Sequence, residues 1–184
     1  MNPSTALRRT ALSAAALIVG LALTPSAARA EDSAITAILA SPDTPADAAT
    51  LRAAGVDPSG KALLAIVDDA RVTRYVRARA ASALGGFEGA EPELRRRVQA
   101  RATTDVEVFT QLVDAYAHAA GARGQPLLVE TFTKSPERAV RIAAGLGLVR
   151  LGARDAVDAL LASEKDRVVV QVVRRTLARA ARSR

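Results

Sequence analysis

From about residue 58 onward the apolar positions recur at helical spacing, and the whole pattern then recurs along the chain. Phe109, Val113 and Ala117 fall at i, i+4 and i+8. Val140, Ala144 and Leu148 repeat the arrangement 31 residues later, and Val169, Val173 and Leu177 another 29 residues on. Residues so spaced share one face of a helix. The segment Val76-Arg77-Ala78-Arg79-Ala80-Ala81-Ser82-Ala83-Leu84 aligns with Val140-Arg141-Ile142-Ala143-Ala144-Gly145-Leu146-Gly147-Leu148 at an offset of 64, two such steps. A shorter apolar stretch precedes each long one: Leu63, Leu64 and Val67; Leu94 and Val98; Leu127, Leu128 and Phe132; Val157, Leu160 and Leu161. The predicted unit is a pair of helices, one short and one longer. No segment sustains a period-two alternation, so the fold class is all-α.

Punctuation supports the division. Proline suits the first turn of a helix, where its missing N–H would be unpaired, and glycine suits the position past the end. Thr44-Pro45, Asp57-Pro58, Glu91-Pro92, Gln125-Pro126 and Ser135-Pro136 stand at predicted starts, and Gly55, Gly85, Gly121 and Gly152 at predicted ends. Five pairs follow, at about 33–54, 58–86, 91–120, 124–151 and 153–181. The first is short and alanine-rich, as a terminal cap would be. A single pair cannot bury its own apolar face, so neighbours must stack to make a core. Gly145 and Gly147 lie inside a helical pattern, where close helix contact accounts for them.

Val76-Arg77 with Ala80-Ala81-Ser82-Ala83-Leu84-Gly85, and Val140-Arg141 with Ala143-Ala144, Leu148 and Leu151-Gly152, resemble the HEAT-like repeats, in particular the short variety of about thirty residues named after phycobilisome lyases. An acidic residue before each second helix fits the likeness: Asp69, Asp105, Glu137 and Asp166. The resemblance covers roughly 58–181 and implies a right-handed α-solenoid of about five stacked antiparallel helix pairs. Two copies depart from it. Thr110 and Val170 stand where the arginine is expected, so a ladder of Asp–Arg pairs between repeats should be interrupted there. The shared residues are packing residues, and they carry no lyase chemistry to this chain.

The first thirty residues read as an address. Arg8 and Arg9 precede a charge-free apolar run from Ala11 to Leu23, and the segment ends Ala28-Arg29-Ala30, a small-x-small cleavage signature. The run is too short for a membrane span, which needs about 20 residues. Residues 1–30 are therefore expected to be a signal peptide and 31–184 the mature domain, periplasmic or secreted, with no transmembrane span. The Arg8-Arg9 pair also admits the twin-arginine route. The whole chain carries 26 Lys+Arg against 19 Asp+Glu, but three of those arginines belong to the leader, and the mature excess is only +4. With no cysteine, the domain has neither disulfides nor thiol chemistry, and packing alone must hold it.

Candidate chemistry is sparse. Glu107, Gln111, Asp114 and His118 share one helix face, but His118 is the only histidine, and a zinc site wants three or four good ligands. No G-x-S-x-G turn or phosphate-cradling glycine loop occurs. A solvated polar stripe explains the face. No catalytic, cofactor or metal site is expected, and the protein reads as a non-enzyme. Arginines cluster at Arg71, Arg74, Arg77 and Arg79, at Arg95-Arg96-Arg97, and at Arg174, Arg175, Arg179, Arg182 and Arg184. Acids interrupt them and only five aromatics are present, which argues against nucleic acid and leaves an anionic surface as a second reading. The last helix is valine-rich. At 100° per residue, Val168 to Val173 spread over an arc wider than one neighbour covers, giving a candidate apolar seam.

The expected function is that of a non-catalytic protein–protein interaction scaffold in a bacterial-type envelope. Recognition would spread over Arg74, Arg77, Glu107, Gln111, Asp114, Arg138 and Arg141, with Val168, Val170 and Val172 as the alternative apolar patch. The alternatives are a basic module for anionic polymers or lipid head groups, and an accessory subunit of a lyase- or isomerase-type enzyme. Neither the partner's identity nor the oligomeric state is fixed by these residues.

Overall fold

A computed structural model describes residues 27–101 and 105–182, with side chains from Ala34 onward. The described residues are helical and contain no strand. In chain order the helices are α1 (Ala27–Ala40), α2 (Ala48–Ala53), α3 (Lys61–Asp68), α4 (Arg74–Ala83), α5 (Glu91–Ala100), α6 (Val106–Ala120), α7 (Gln125–Lys134), α8 (Arg138–Arg150), α9 (Arg154–Ser163) and α10 (Arg167–Arg182). Short 3-10 turns follow α4 and α6. The expected leader lies outside the described residues, apart from Ala27–Ala30, which are the first turn of α1.

Each expected interval from 58 on holds two α-helices, a short one and a long one except in the first, where lengths are closer. The starts are set less uniformly than the prolines suggest. Pro92 and Pro126 do stand in the first turns of α5 and α7. Pro45 and Pro58 instead precede their helices by three residues. Asp47 caps α2 by accepting from Thr50 N at 2.8 Å, and Asp57 folds back onto Ser59 N at 2.7 Å. Gly60 then enters α3 at φ +68°, and a Cβ there would lie 2.7 Å from Leu84 Cδ2. Pro136 likewise stands two residues outside α8.

The second helices form a row. α4 packs on α6, α6 on α8, and α8 on α10, while α3, α5, α7 and α9 each pack on the long helix that follows. One apolar cluster runs through all of them, from Ile35 and Leu39 in α1 to Val169 and Val173 in α10. α8 sits between α6 and α10 and is buried nearly all round, through Val140, Ala143, Ala144, Gly145, Gly147, Leu148 and Val149. Its two glycines allow the approach on both sides. A Cβ on Gly145 would lie 2.8 Å from Val173 Cγ2, and one on Gly147 2.8 Å from Ala117 Cβ. At the N-terminal side Arg79 donates to the carbonyls of Leu39, Ser41 and Thr44, tying the α1–α2 connection to α4.

Candidate functional site

The acid before the second helix has two tasks in two of the pairs. Asp105 accepts from Glu107 N at 3.2 Å, capping α6, and it also takes Arg74 Nε at 3.2 Å and Arg77 Nη2 at 3.1 Å from α4. Asp166 repeats the arrangement. It accepts from Val168 N at 2.9 Å and takes Arg138 Nε at 2.6 Å and Arg141 Nη2 at 3.5 Å from α8. Arg141 further reaches Glu164 at 2.9 Å and the carbonyls of Ser135 and Pro136. Arg141, through the Ser135 and Pro136 carbonyls, and Arg101, through Glu137 from the other side, hold the α7–α8 junction. All four of the arginines expected to meet a partner join one helix pair to the next, Arg77 and Arg141 mostly buried and Arg74 and Arg138 exposed.

Thr110 does interrupt this ladder at α6, as its side chain cannot span to the next acid. That acid, Glu137, is served instead by Arg101, from the end of α5. Arg101 adopts φ +48°, the single left-handed non-glycine among the described residues, and its guanidinium also lies 5.5 Å from the centroid of Phe109. The hydrogen bond from Arg101, with a second from Ser135, draws the Glu137 carboxyl below its ordinary range.

Where the ladder arginine is missing, the surface opens. A groove of about 750 Å³ is lined by Arg74, Arg77, Asp105, Glu107, Thr110 and Gln111, together with Val106 and Ala139. Arg74 approaches Glu107 to 3.9 Å as well as Asp105, so two guanidinium groups and two carboxylates balance within the groove. Arg77 Nε is buried with no hydrogen-bond acceptor among the described residues. The site thus presents hydrogen-bonding groups of both signs on a neutral background.

Four of the expected residues, Arg74, Arg77, Glu107 and Gln111, meet in this groove. Arg138 and Arg141 stand one rung further along α8. Asp114 is drawn away from it: its carboxylate pairs with Arg150 at 2.8 Å and lines a separate depression of about 430 Å³ with Ser82 and His118. His118 is exposed and makes no hydrogen bond among the described residues. No group of three or more His, Cys, Asp or Glu side chains that could hold a metal ion forms among them. Of the valine patch Val168, Val170 and Val172, none is fully buried. Val169 and Val173 are fully buried, Val170 and Val172 partly so, and Val168 remains 43% exposed.

One residue of consequence was hidden in the run Arg95-Arg96-Arg97. Arg97 is buried and forks onto Asp68 of α3, with Nη2 donating at 2.7 Å, while Nε donates to Glu93 at 2.9 Å. The signal was present, since Arg97 lies three residues after Leu94 and adjacent to Val98 on the inner side of α5. No helix among the described residues is long and apolar enough to cross a membrane. Comparison with protein-family models, with curated proteins and with solved structures returns no match.

Proposed function

We propose that the helix pairs of this protein are short HEAT-like repeats stacked as a right-handed α-solenoid, behind an export leader at 1–30. In this reading the protein is a non-catalytic scaffold of the envelope, periplasmic or secreted, that holds a protein partner in the groove between α4, α6 and α8. The observation that carries the reading is the groove at the missing rung. It opens where Thr110 replaces the arginine, and Arg101 restores the lost pairing from elsewhere, so the opening costs the stack none of its cross-links. Mixed charges with Gln111 and a buried, unsatisfied Arg77 Nε suit the backbone and polar side chains of a protein segment, which can supply carbonyl acceptors. They suit a polyanion poorly, because the acids and bases there cancel.

The non-catalytic part rests on the donor sets. Asp114 is engaged by Arg150 and therefore does not orient His118, and the two described hydroxyls that reach a carboxylate, Ser59 on Asp57 and Ser135 on Glu137, do not line the groove. The test is affinity capture from an envelope extract with the wild-type chain and with Thr110→Arg, which rebuilds a long side chain in the groove. At least one captured protein should be lost in the variant while helicity and melting stay unchanged. Equal retention of every captured protein would refute the groove, and a stoichiometric metal in the purified protein would refute the non-catalytic reading.

A further inference from the structure

Cations and acids are not distributed alike in this protein. On α3 to α9 most arginines are partnered, as in Arg71–Asp69, Arg95–Glu91, Arg97–Asp68, Arg138–Asp166 and Arg150–Asp114. On α10 the situation reverses. Arg167, Arg174, Arg175, Arg179 and Arg182 are all exposed, and none makes an ion pair with a described residue. The acids at the start of α10 are already engaged, Asp166 by Arg138 and Arg141 and Glu164 by Arg141. At 100° per residue the five arginines fall within an arc of about 140°, opposite the buried Val169 and Val173. The helix has 16 residues, a length of about 24 Å. No element of the described chain packs over that arc, and the depression it contains, lined by Arg167, Val170, Gln171, Arg174, Arg175 and Ala178, is open and shallow.

We infer that the outer face of α10 docks on an anionic phospholipid bilayer through the head-group phosphates. Three observations select this occupant. The face is open rather than cleft-like, so a planar partner reaches all five guanidinium groups at once, and long arginine side chains bend from the arc to the plane. Arginine forks match phosphate oxygens two at a time. The face also lacks what other polyanion or protein partners use. It has no aromatic for base stacking, the one exposed tyrosine being Tyr75 on α4, and no large apolar anchor except Val168 at its edge. Because Val169 and Val173 are held in the core and Val168 is the one large apolar side chain strongly exposed on α10, attachment is electrostatic and peripheral, without insertion.

The proposal does not depend on the groove, which is neutral and lies on other helices. Full-length protein is sedimented with vesicles of phosphatidylcholine alone and with vesicles containing phosphatidylglycerol, at low and at elevated salt. Binding should require the anionic lipid and fall at least about tenfold as salt screens the surface. R174E/R175E/R179E, at exposed and unpaired positions, should weaken it at least about tenfold, while the all-lysine variant R174K/R175K/R179K retains most of it. Should the reversed variant melt early, the neutral pair R175Q/R179Q takes its place, with a smaller loss expected in the same direction. Thr110→Arg should bind vesicles as wild type does. No binding at low salt, equal binding to zwitterionic vesicles, or indifference to the charge variants would overturn the proposal. Tighter binding to duplex DNA or to a Glu-rich peptide than to vesicles at matched salt would overturn it too, and reassign the face.

Discussion

Asp105 carries more of this structure than its exposure suggests. Its carboxylate caps α6, clamps Arg74 and Arg77, and so fixes α6 against α4. Asp105→Ala removes a cap, which by itself costs about 1 kcal/mol, and leaves the mostly buried Arg77 without its counter-charge. We expect a total loss of about 2–4 kcal/mol in urea unfolding. Asp105→Asn keeps a capping oxygen and should lose roughly half as much; equal losses would show that the cap contributes little. Glu93 gives a pH dependence. The hydrogen bond from Arg96, with Arg97 behind it, holds its carboxyl down to about 2, against 4.5 when unperturbed. The folded form thus binds its proton more weakly than the unfolded chain. Stability from this site is full above about pH 4.5, declines as pH falls, and is gone below about 2. Glu93→Gln should flatten the acid limb of stability in that window and nowhere else, as read from melting temperature against pH. An Asp–Arg ladder was legible in the sequence and includes the Asp105 pairing, whereas the pairing of Glu93 with Arg96 and Arg97 was not legible. Arg97 counts as solvated by type, and only the position of Asp68 across the α3–α5 contact turns it inward.

At the scale of the helix, the row α6–α8–α10 depends on two missing side chains. Gly147→Ala places a Cβ 2.8 Å from Ala117 Cβ, which has no rotamer to change, so the helix backbones must separate. Gly145→Ala meets Val173 Cγ2 at the same distance, but a valine can rotate. Overpacking costs about 1–3 kcal/mol, set against about 1 kcal/mol gained in helix propensity. Both variants should be less stable in chemical denaturation, Gly147→Ala the more so; stabilisation by either would mean the helices are further apart than the contacts imply. The periodicity made these elements readable. Apolar residues at i, i+4 and i+8 located α6, α8 and α10, and the glycines in α8 already pointed to close contact. Helix starts were less readable, because Pro45, Pro58 and Pro136 serve the preceding turns, and the helices begin after Asp47, which caps α2, and after Gly60 and Glu137, which stand at the start of α3 and α8 without a side-chain cap. In the site, the sequence exposed the gap at Thr110 but not its repair. Arg101 lies on a different helix of the pair, in a left-handed conformation that composition would assign to glycine.

For the molecule as a whole, the decisive asymmetry is between α8 and α10. α8 is buried over most of its surface, with Arg138 and Arg150 exposed at its two ends, whereas α10 turns valine inward and arginine outward. α10 is therefore the element that makes the rest presentable to solvent, by covering Gly145 and the flank of Phe132 through Val173. Each helix interface stabilises its neighbours, and the arginine face of α10 turns a polar surface to solvent on that side. A chain ending at Ser163 should lose more than the energy of one helix. The uncovered flank of α8 would present a contiguous apolar strip, beyond what monomeric proteins ordinarily expose. Such a chain is expected to elute as higher-mass species in size-exclusion chromatography with light scattering, and to melt over a broader and lower range than the full chain. Val173→Asp, which keeps the arginine face and spoils only the inner one, should move in the same direction. A truncated chain that stays monomeric and melts as sharply as the full-length protein would mean that α8 is held by α6 and α7 alone, with α10 an appendage rather than a cap.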